Sequence, residues 1–409
     1  MEPLTKKALA VAIDIGTTQT QAVIGEHLAD AVINVVGVGT SPSRGMKKGV
    51  VVDLDETAAS VRAAVEEAER MAGLEVSSAF LGLVGSQVGI INNRGIVAVS
   101  GSDREITAED VNRVLQAAQV IALPPEREII DVLPREFVVD GHEGVKNPIG
   151  MTGVRLEVDA MVVCGASSAT RNALRCVNNA GLEVNGLVLH ALADAEVALT
   201  PDEKELGVFL INIGGGTAEI SVLQEGSLRG ISVVPVAGDY ITHDLAVGLK
   251  TTLEQAERLK INHGVCLPEK ANSEENIKVQ NLTGKGDMMV SQADLASIIE
   301  PRILEILHLI KEETGKMGFP EPLPAGMVLT GGVSLTKGIV ELVEDVFNCS
   351  VRTAHPRYIG VNSPVYTTAV GMIHYVQQSH RMVPPQSSPA KTVRGLWARI
   401  LLWFQDFFA

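Results

Sequence analysis

Aromatic side chains are scarce in this chain: phenylalanine, tryptophan and tyrosine together make up 3% of its 409 residues. Any core must therefore rely on Ala, Val, Leu and Ile. With 39 glycines and 46% hydrophobic residues, the composition points to an α/β protein rather than an all-β one. Cysteine is nearly missing as well. Cys164, Cys176, Cys266 and Cys349 stand far apart, with no CxxC pair and no metal-ligand spacing. That excludes a disulfide framework and reads as a reducing, cytosolic compartment. Positive charge is in short supply. A formal net charge of −15 argues against nucleic acid as a partner, and it opposes general adhesion to an anionic membrane, leaving only local contact. No apolar run approaches the ~20 residues that span a bilayer. The stretch ALAVAI after Lys6 and Lys7 ends at Asp14, too short for an export signal.

The chain exceeds the size at which a single core keeps growing, so two or more subdomains are expected. ALAVAIDIGTTQTQAVIG reads as strand, glycine turn, strand. A helix follows in VVDLDETAASVRAAVEEAERMAG, with Asp55 or Thr57 as its cap and Gly73 as its stop. From about Gly85 to Cys164 the character shifts to a compact unit of helix, strand, Gly/Pro loop and strand, read as an inserted subdomain. GVFLINIGGGTAEISVLQEGSLRG then repeats the opening theme two hundred residues later, which suggests two related halves. The stretch SHRMVPPQSSPAKTVR, residues 379–394, has no periodicity and reads as a flexible linker.

Three turns carry the chemistry of a nucleotide site. In AIDIGTT, Asp14 ends a strand before Gly16, Thr17 and Thr18. Small residues let backbone N–H groups face phosphate oxygens, and Asp14 can hold Mg²⁺ through water. In NIGGGT, Asn212 leads to Gly214, Gly215, Gly216 and Thr217; in LTGGVS, Gly331 and Gly332 allow an adenosine to approach the backbone. None of the three matches a P-loop. Each alone is weak, and their order along the chain is the informative feature.

That order resembles the ATPase superfamily of actin, the heat-shock chaperones and the sugar kinases. SPSRGMKKGVVVDL (41–54), EGVKNPIGMTGVRLEVD (143–159) and ELGVFLINIGGGTAEI (205–220) narrow the resemblance to the FtsA family, actin-like proteins of bacterial cell division. The resemblance covers essentially the whole chain. It implies an actin-like two-lobed α/β fold with an inserted α+β subdomain and a C-terminal amphipathic helix, with ATP and Mg²⁺ as cofactors. The first lobe would comprise 1–84, 165–195 and 360–378, interrupted by the insert 85–164. The second would comprise 196–238 and 311–359, with a smaller subdomain at 239–310. The three turns become the two phosphate turns and the adenosine motif. Glu257 and Lys260 match a helical Glu-x-x-Lys pattern that contacts base or ribose in actin-like relatives, although such a spacing also makes an ordinary surface ion pair.

The pattern departs from the superfamily at three catalytic positions. Asn212 stands where many members carry Asp and adds no charge for Mg²⁺. Gln21 stands where actin has a phosphate-binding lysine, and it cannot neutralise charge on a transferred phosphoryl group. The segment LHALADAEVA aligns no acid with the water-polarising residue of relatives; His190 falls nearest and Asp194 is close by. A lone histidine among apolar neighbours is commonly structural. The expectation is firm ATP binding with slow hydrolysis or none.

Both tryptophans and three of the phenylalanines gather at the chain's end, in GLWARILLWFQDFFA (395–409). On a helix, Leu396, Trp397, Ile400, Leu401, Trp403, Phe404, Phe407 and Phe408 share an arc of roughly 160°. Such a face suits the headgroup–acyl boundary of a bilayer, and Lys391, Arg394 and Arg399 can meet anionic lipid. The alternative is a protein-docking helix. The family resemblance implies self-assembly into filaments, recruitment of FtsZ to the cytoplasmic face of the inner membrane at the septum, and contacts with later division proteins. Its FtsZ-binding face would lie in 239–310, with Glu300 and Arg302 as candidates unless they merely cap a helix. Two rivals share the ATPase fold. A small-molecule kinase would need a general base and a substrate pocket, and a chaperone would need a peptide-binding domain that 379–409 is too short to form.

Overall fold

The computed structural model describes residues 9–27, 33–85, 88–272, 274, 276–280, 282 and 287–378. The linker at 379–394 and the aromatic end at 395–409 lie outside the described residues.

Apolar runs such as LAVAIDI and VFLINI are long enough for a strand and too uniform for a half-solvated one, so they belong in sheets covered on both faces. Two five-stranded sheets result, wound alike. In the first the spatial order is Ile33–Pro42, Gln19–His27, Leu9–Ile15, Ser78–Leu83, Glu183–Leu189. In the second it is Ser227–Val234, Ala218–Gln224, Val208–Ile213, Met327–Thr330, Val351–Thr353. Each begins as a three-stranded antiparallel meander and continues with two parallel strands. The two halves suggested by the repeated glycine theme thus share one topology.

Helices cover the first sheet. Leu54–Ala72 and Ser167–Asn179 pack on one face around Ile13, Ile24 and Leu81, while Thr367–Gln378 and His190–Ala198 close the other around Ala12, Val23 and Met372. Burial of each such aliphatic side chain contributes about 1.5–3 kcal/mol. Small residues bring the backbones close. A Cβ on Gly371 would stand 2.0 Å from the Ala193 carbonyl oxygen, so the Thr367–Gln378 helix lies against its neighbour only because this position is glycine. The cap of the Leu54–Ala72 helix differs from expectation. Asp53 is the N-cap, its carboxylate accepting from the Asp55 and Glu56 amides at 3.0 Å each, and Asp55 sits within the first turn. Gly73 closes the helix in the left-handed conformation, as its position suggested.

In the chain between Ser78–Leu83 and Glu183–Leu189, a separate antiparallel sheet runs in the order Val88–Ala98, Arg155–Ala166, Arg127–Val139, His142–Val145. The Ala108–Ala118 helix packs on it over Val111, Val114 and Leu115, with a capping box between Thr107 and Asp110. Helices Gly238–Gly248, Leu253–His263 and Gln292–Met317 and the hairpin Asn276–Gln280/Asp287–Ser291 extend the second lobe. Glu300 and Arg302 lie inside the 26-residue helix that Ser291 caps, not at a helix start, so the capping explanation for them falls.

Candidate functional site

The two glycine turns are built by one hydrogen-bond pattern. In the first, the Gly16 N–H donates to the Gln19 carbonyl at 3.1 Å; in the second, the Gly214 N–H donates to the Thr217 carbonyl at 3.0 Å. Each turn ends the strand pair at the centre of its sheet, and the two lobes bring the turns face to face. A Cβ on Gly215 would lie 1.7 Å from Thr18 Oγ1, and one on Gly216 would lie 2.5 Å from Thr17 Oγ1. The glycines of the second turn are what allow the first turn's threonines to approach. Across the same gap, Thr18 Oγ1 donates to Asp239 Oδ1 at 2.9 Å. The Asp239 and Gly238 amides donate to the Gly215 and Gly214 carbonyls at 2.8 and 3.1 Å, which joins the start of the Gly238–Gly248 helix to the second turn.

Beneath the turns lies a floor of buried ionisable groups. His190 Nε2 stands 3.3 Å from Asp14 Oδ1. Burial pushes the Asp14 carboxyl above the usual carboxylate range, with the neighbouring His190 pulling it back. Asp194 is pushed up to about 6 and Glu219 to about 7, again through burial and again opposed by His190. Glu219 Oε2 accepts the Gly85 amide at 2.6 Å, which ties the second lobe to the root of the inserted sheet. Glu219 Oε1 is buried without a hydrogen-bond partner, and Asp14 Oδ1 and His190 Nε2 make no hydrogen bond beyond facing each other. Unpaired buried polar atoms on this scale are costly, and they concentrate where a fold is built for a ligand.

Asn212 does not face the gap as a ligand for a metal-bound water. Its Nδ2 donates to Asp194 Oδ2 at 2.8 Å and to Thr368 Oγ1 at 3.2 Å, while Thr368 Oγ1 donates to Asp194 Oδ1 at 2.7 Å. An amide is needed here because a carboxylate would oppose Asp194. Glu196, the other acid of that segment, points elsewhere and pairs with Lys204 at 2.9 Å. Gln21 is also turned away, its Nε2 donating to the Val365 carbonyl at 3.0 Å.

The third turn closes the side of the cleft. Gly331 has φ +83°, and a Cβ there would stand 2.4 Å from Asn212 Oδ1. Gly332 opens a short 3-10 turn, Gly332–Leu335. Lys260 pairs with Glu257 at 2.7 Å and donates to the Gly238 carbonyl at 3.1 Å and to Thr242 Oγ1 at 2.8 Å. Its side chain is only 12% exposed, so this is no solvated surface pair. Glu257 and Lys260 therefore line the same cleft as the second and third turns. Arg302 holds Asp244 through Nε and Nη2, pairs with Glu305 through Nη1, and stacks 5.6 Å from the Tyr240 ring. Glu300 sits half-buried on the same helix.

Asp239, Thr242 and Glu219 were not expected from sequence. Glu219 had a legible signal, a carboxylate inside the apolar strand AEISVLQ two residues beyond Thr217. Asp239 and Thr242 had none, because their partners are distant in the chain. Among the described residues no group of three or more His, Cys, Asp or Glu is arranged to hold a metal ion. The donor set fits Mg²⁺ only as a companion of a nucleotide, with Asp14, beside His190, as the protein's carboxylate toward it.

Comparison with known proteins agrees with this geometry. A family model described as "Cell division protein FtsA" matches residues 209–371, and one described as "SHS2 domain inserted in FTSA" matches residues 85–164. Cell division protein FtsA of Pseudomonas aeruginosa is 42% identical over 372 residues, covering 90% of this chain and 89% of that protein. That of Bacillus subtilis is 42% identical over 379 residues, covering 93% and 86%. Among solved structures, the PilM-PilN type IV pilus biogenesis complex aligns with a TM-score of 0.62 at 15% identity, over 90% of this chain and 98% of that one. MreB5 of Spiroplasma citri bound to ADP aligns at 0.55 and 12%, over 92% and 98%. The MamK double helical filament aligns at 0.51 and 12%, over 89% and 98%. At such identities these structures speak for the actin-like fold alone. Identity above two-fifths sustained along nine-tenths of the chain speaks for more: this protein belongs to the FtsA family of cell-division proteins, an actin-like part of the division machinery.

Proposed function

We propose that this family member binds ATP with Mg²⁺ between the two glycine turns, hydrolyses it slowly or not at all, and uses it as an assembly ligand. The observation that carries the reading is the pairing of like-built turns above a buried Asp14 carboxylate that faces only His190, at 3.3 Å, among the described residues. Amides of both turns would face phosphate oxygens, with Thr17, Thr18 and Thr217 as further donors. Glu257, Lys260, Gly331 and Gly332 would line the nucleoside. Mg²⁺, when bound, would neutralise phosphate charge beside Asp14. A phosphate chain seated here would part Thr18 from Asp239, so the ligand would exchange one set of contacts between the lobes for another. Weak hydrolysis follows from Gln21 and Asn212, whose amides serve Val365, Asp194 and Thr368. His190 and Asp194 are the groups nearest to a catalytic role, and both are tied into the floor.

Proteins of the same fold include one bound to ADP and one in a filament, and nucleotide-linked self-assembly here is in keeping with that fold. No described helix is long and apolar enough to cross a membrane. In this reading the chain meets the cytoplasmic face of the inner membrane through the aromatic face of 395–409. One short amphipathic helix binds reversibly, and alignment in a filament would raise avidity on the order of 10²–10⁴-fold. The filament would tether FtsZ through 239–310 and offer the inserted sheet to later division proteins. Arg302 reaches a partner only by releasing Asp244, which leaves Glu300 as the freer candidate.

Co-sedimentation with anionic liposomes tests the tether, comparing residues 1–409 with 1–394, with and without ATP, each with purified FtsZ. The expected result is that the full chain carries FtsZ into the lipid pellet and the truncation does not. Equal pelleting of both chains, or FtsZ left in the supernatant, overturns the reading.

A further inference from the structure

The first turn lacks a cation where a phosphate chain would need one, because Gln21 is neutral and its amide is bonded to Val365. A second element supplies the missing charge. The strands Met46–Lys47 and Val50–Val51 form a small hairpin whose tip is Lys48 and Gly49. Both tip residues have positive φ, +49° and +74°, the geometry of a type I′ turn. Gly suits that turn and Lys does not, since a side chain in the left-handed region is strained. Such strain at a cleft is a pointer to function.

The tip is pinned to the first turn. The Gly49 N–H donates to Thr17 Oγ1 at 3.0 Å, while the Gly45 carbonyl accepts the Val52 and Asp53 amides at 2.8 and 3.1 Å. Lys48 itself is exposed, and among the described residues no carboxylate pairs with it. Its ammonium rests 5.5 Å from the centroid of the Tyr240 ring. The Gly49–Thr17 bond is what sets this ammonium beside the first turn; the Tyr240 ring is shared with Arg302, 5.6 Å away, whose guanidinium is already held by Asp244 and Glu305. By contrast, Lys260 is paired with Glu257 and already donates to Gly238 and Thr242.

We propose that Lys48 is the phosphate-binding cation of this cleft: it swings from the Tyr240 ring onto the phosphate tail of a nucleoside triphosphate held at Thr17 and Thr18. This rests on the nucleotide reading above and names a residue of that site. A flexible four-carbon stem ending in a compact charge suits the movement. The strained turn and the Gly49–Thr17 bond place its base.

Equilibrium binding of ATP and of adenosine to the full chain, to Lys48→Ala, to Lys48→Arg and to Tyr240→Leu tests the assignment. Lys48→Ala is expected to weaken ATP binding at least tenfold, about 1.4 kcal/mol, and to leave adenosine binding unchanged. Lys48→Arg keeps most of the ATP affinity, and Tyr240→Leu leaves it within about twofold. If Lys48→Ala binds ATP as the parent does, the assignment is wrong and the nucleotide cleft stands. If Lys48→Ala and Tyr240→Leu weaken ATP and adenosine alike, Lys48 is only a clasp between the lobes, and the assignment fails. If the parent chain binds neither ligand, the nucleotide reading itself falls. A thermal melt of each variant confirms folding, which substitution at an exposed hairpin tip leaves intact.

Discussion

Glu219→Gln isolates the buried floor of the cleft. Glu219 is 5% exposed, and burial raises its carboxyl from an ordinary 4.5 to about 7. The folded chain therefore holds this proton more tightly than the unfolded one. Its stabilising contribution is complete below pH 4.5 and is lost as pH rises through 7. The full loss corresponds to about 3 kcal/mol at 1.36 kcal/mol per unit. A glutamine cannot ionise, and its Oε1 can still accept the Gly85 amide. Its NH₂ replaces an oxygen that has no partner, a burial cost of about 1 kcal/mol. The variant should thus be about 1 kcal/mol less stable near pH 4.5 and about 2 kcal/mol more stable near pH 8. The swing of ~3 kcal/mol corresponds to about 4 °C in thermal midpoint for a chain of this size. Parallel melts of parent and variant across that pH range measure it. Asp14 and Asp194 titrate in both proteins and, because their charges act on Glu219, cancel only in part in the difference. A Glu219→Gln increment that does not change with pH refutes the reasoning, because it would mean that Glu219 is solvated or already paired.

Two other substitutions probe contacts on either side of that floor. Asn212→Asp removes the donors to Asp194 and Thr368 and sets two carboxylates against each other; a loss of about 2 kcal/mol at neutral pH is expected, smaller in acid, read by the same melts. Gly371→Ala drives a methyl group toward the Ala193 carbonyl oxygen, 2.0 Å away, and should destabilise the chain by about 1–3 kcal/mol at every pH, as urea unfolding would show.

The turns that make the cleft were legible because each is local. Gly16 bonds Gln19 and Gly214 bonds Thr217, three residues apart, so DIGTT and GGGT carry their own geometry. The actin-like class and the family followed from the order of these motifs and from long segments such as 41–54 and 143–159. Where a local signal had two solutions, reading was weaker. Asp53 and Asp55 both suit a cap, and only the backbone placed Asp53 outside the helix. Glu300 and Arg302 had capping of a helix as their alternative, but the helix begins at Gln292 and runs on through Pro301.

Residue periodicity, turn chemistry and motif order depend on neighbours within a few positions, and those the sequence by itself determined: the strands, the glycine turns and the family. The tertiary structure alone decided which charges share the floor. It set Glu219 against Gly85, 134 residues away, and Thr18 against Asp239, 221 residues away. It also gave the Asn212 amide to Asp194 and set Lys48 beside Tyr240. Burial and electrostatic coupling are properties of atoms brought together by packing, and spacing along a chain carries no record of either.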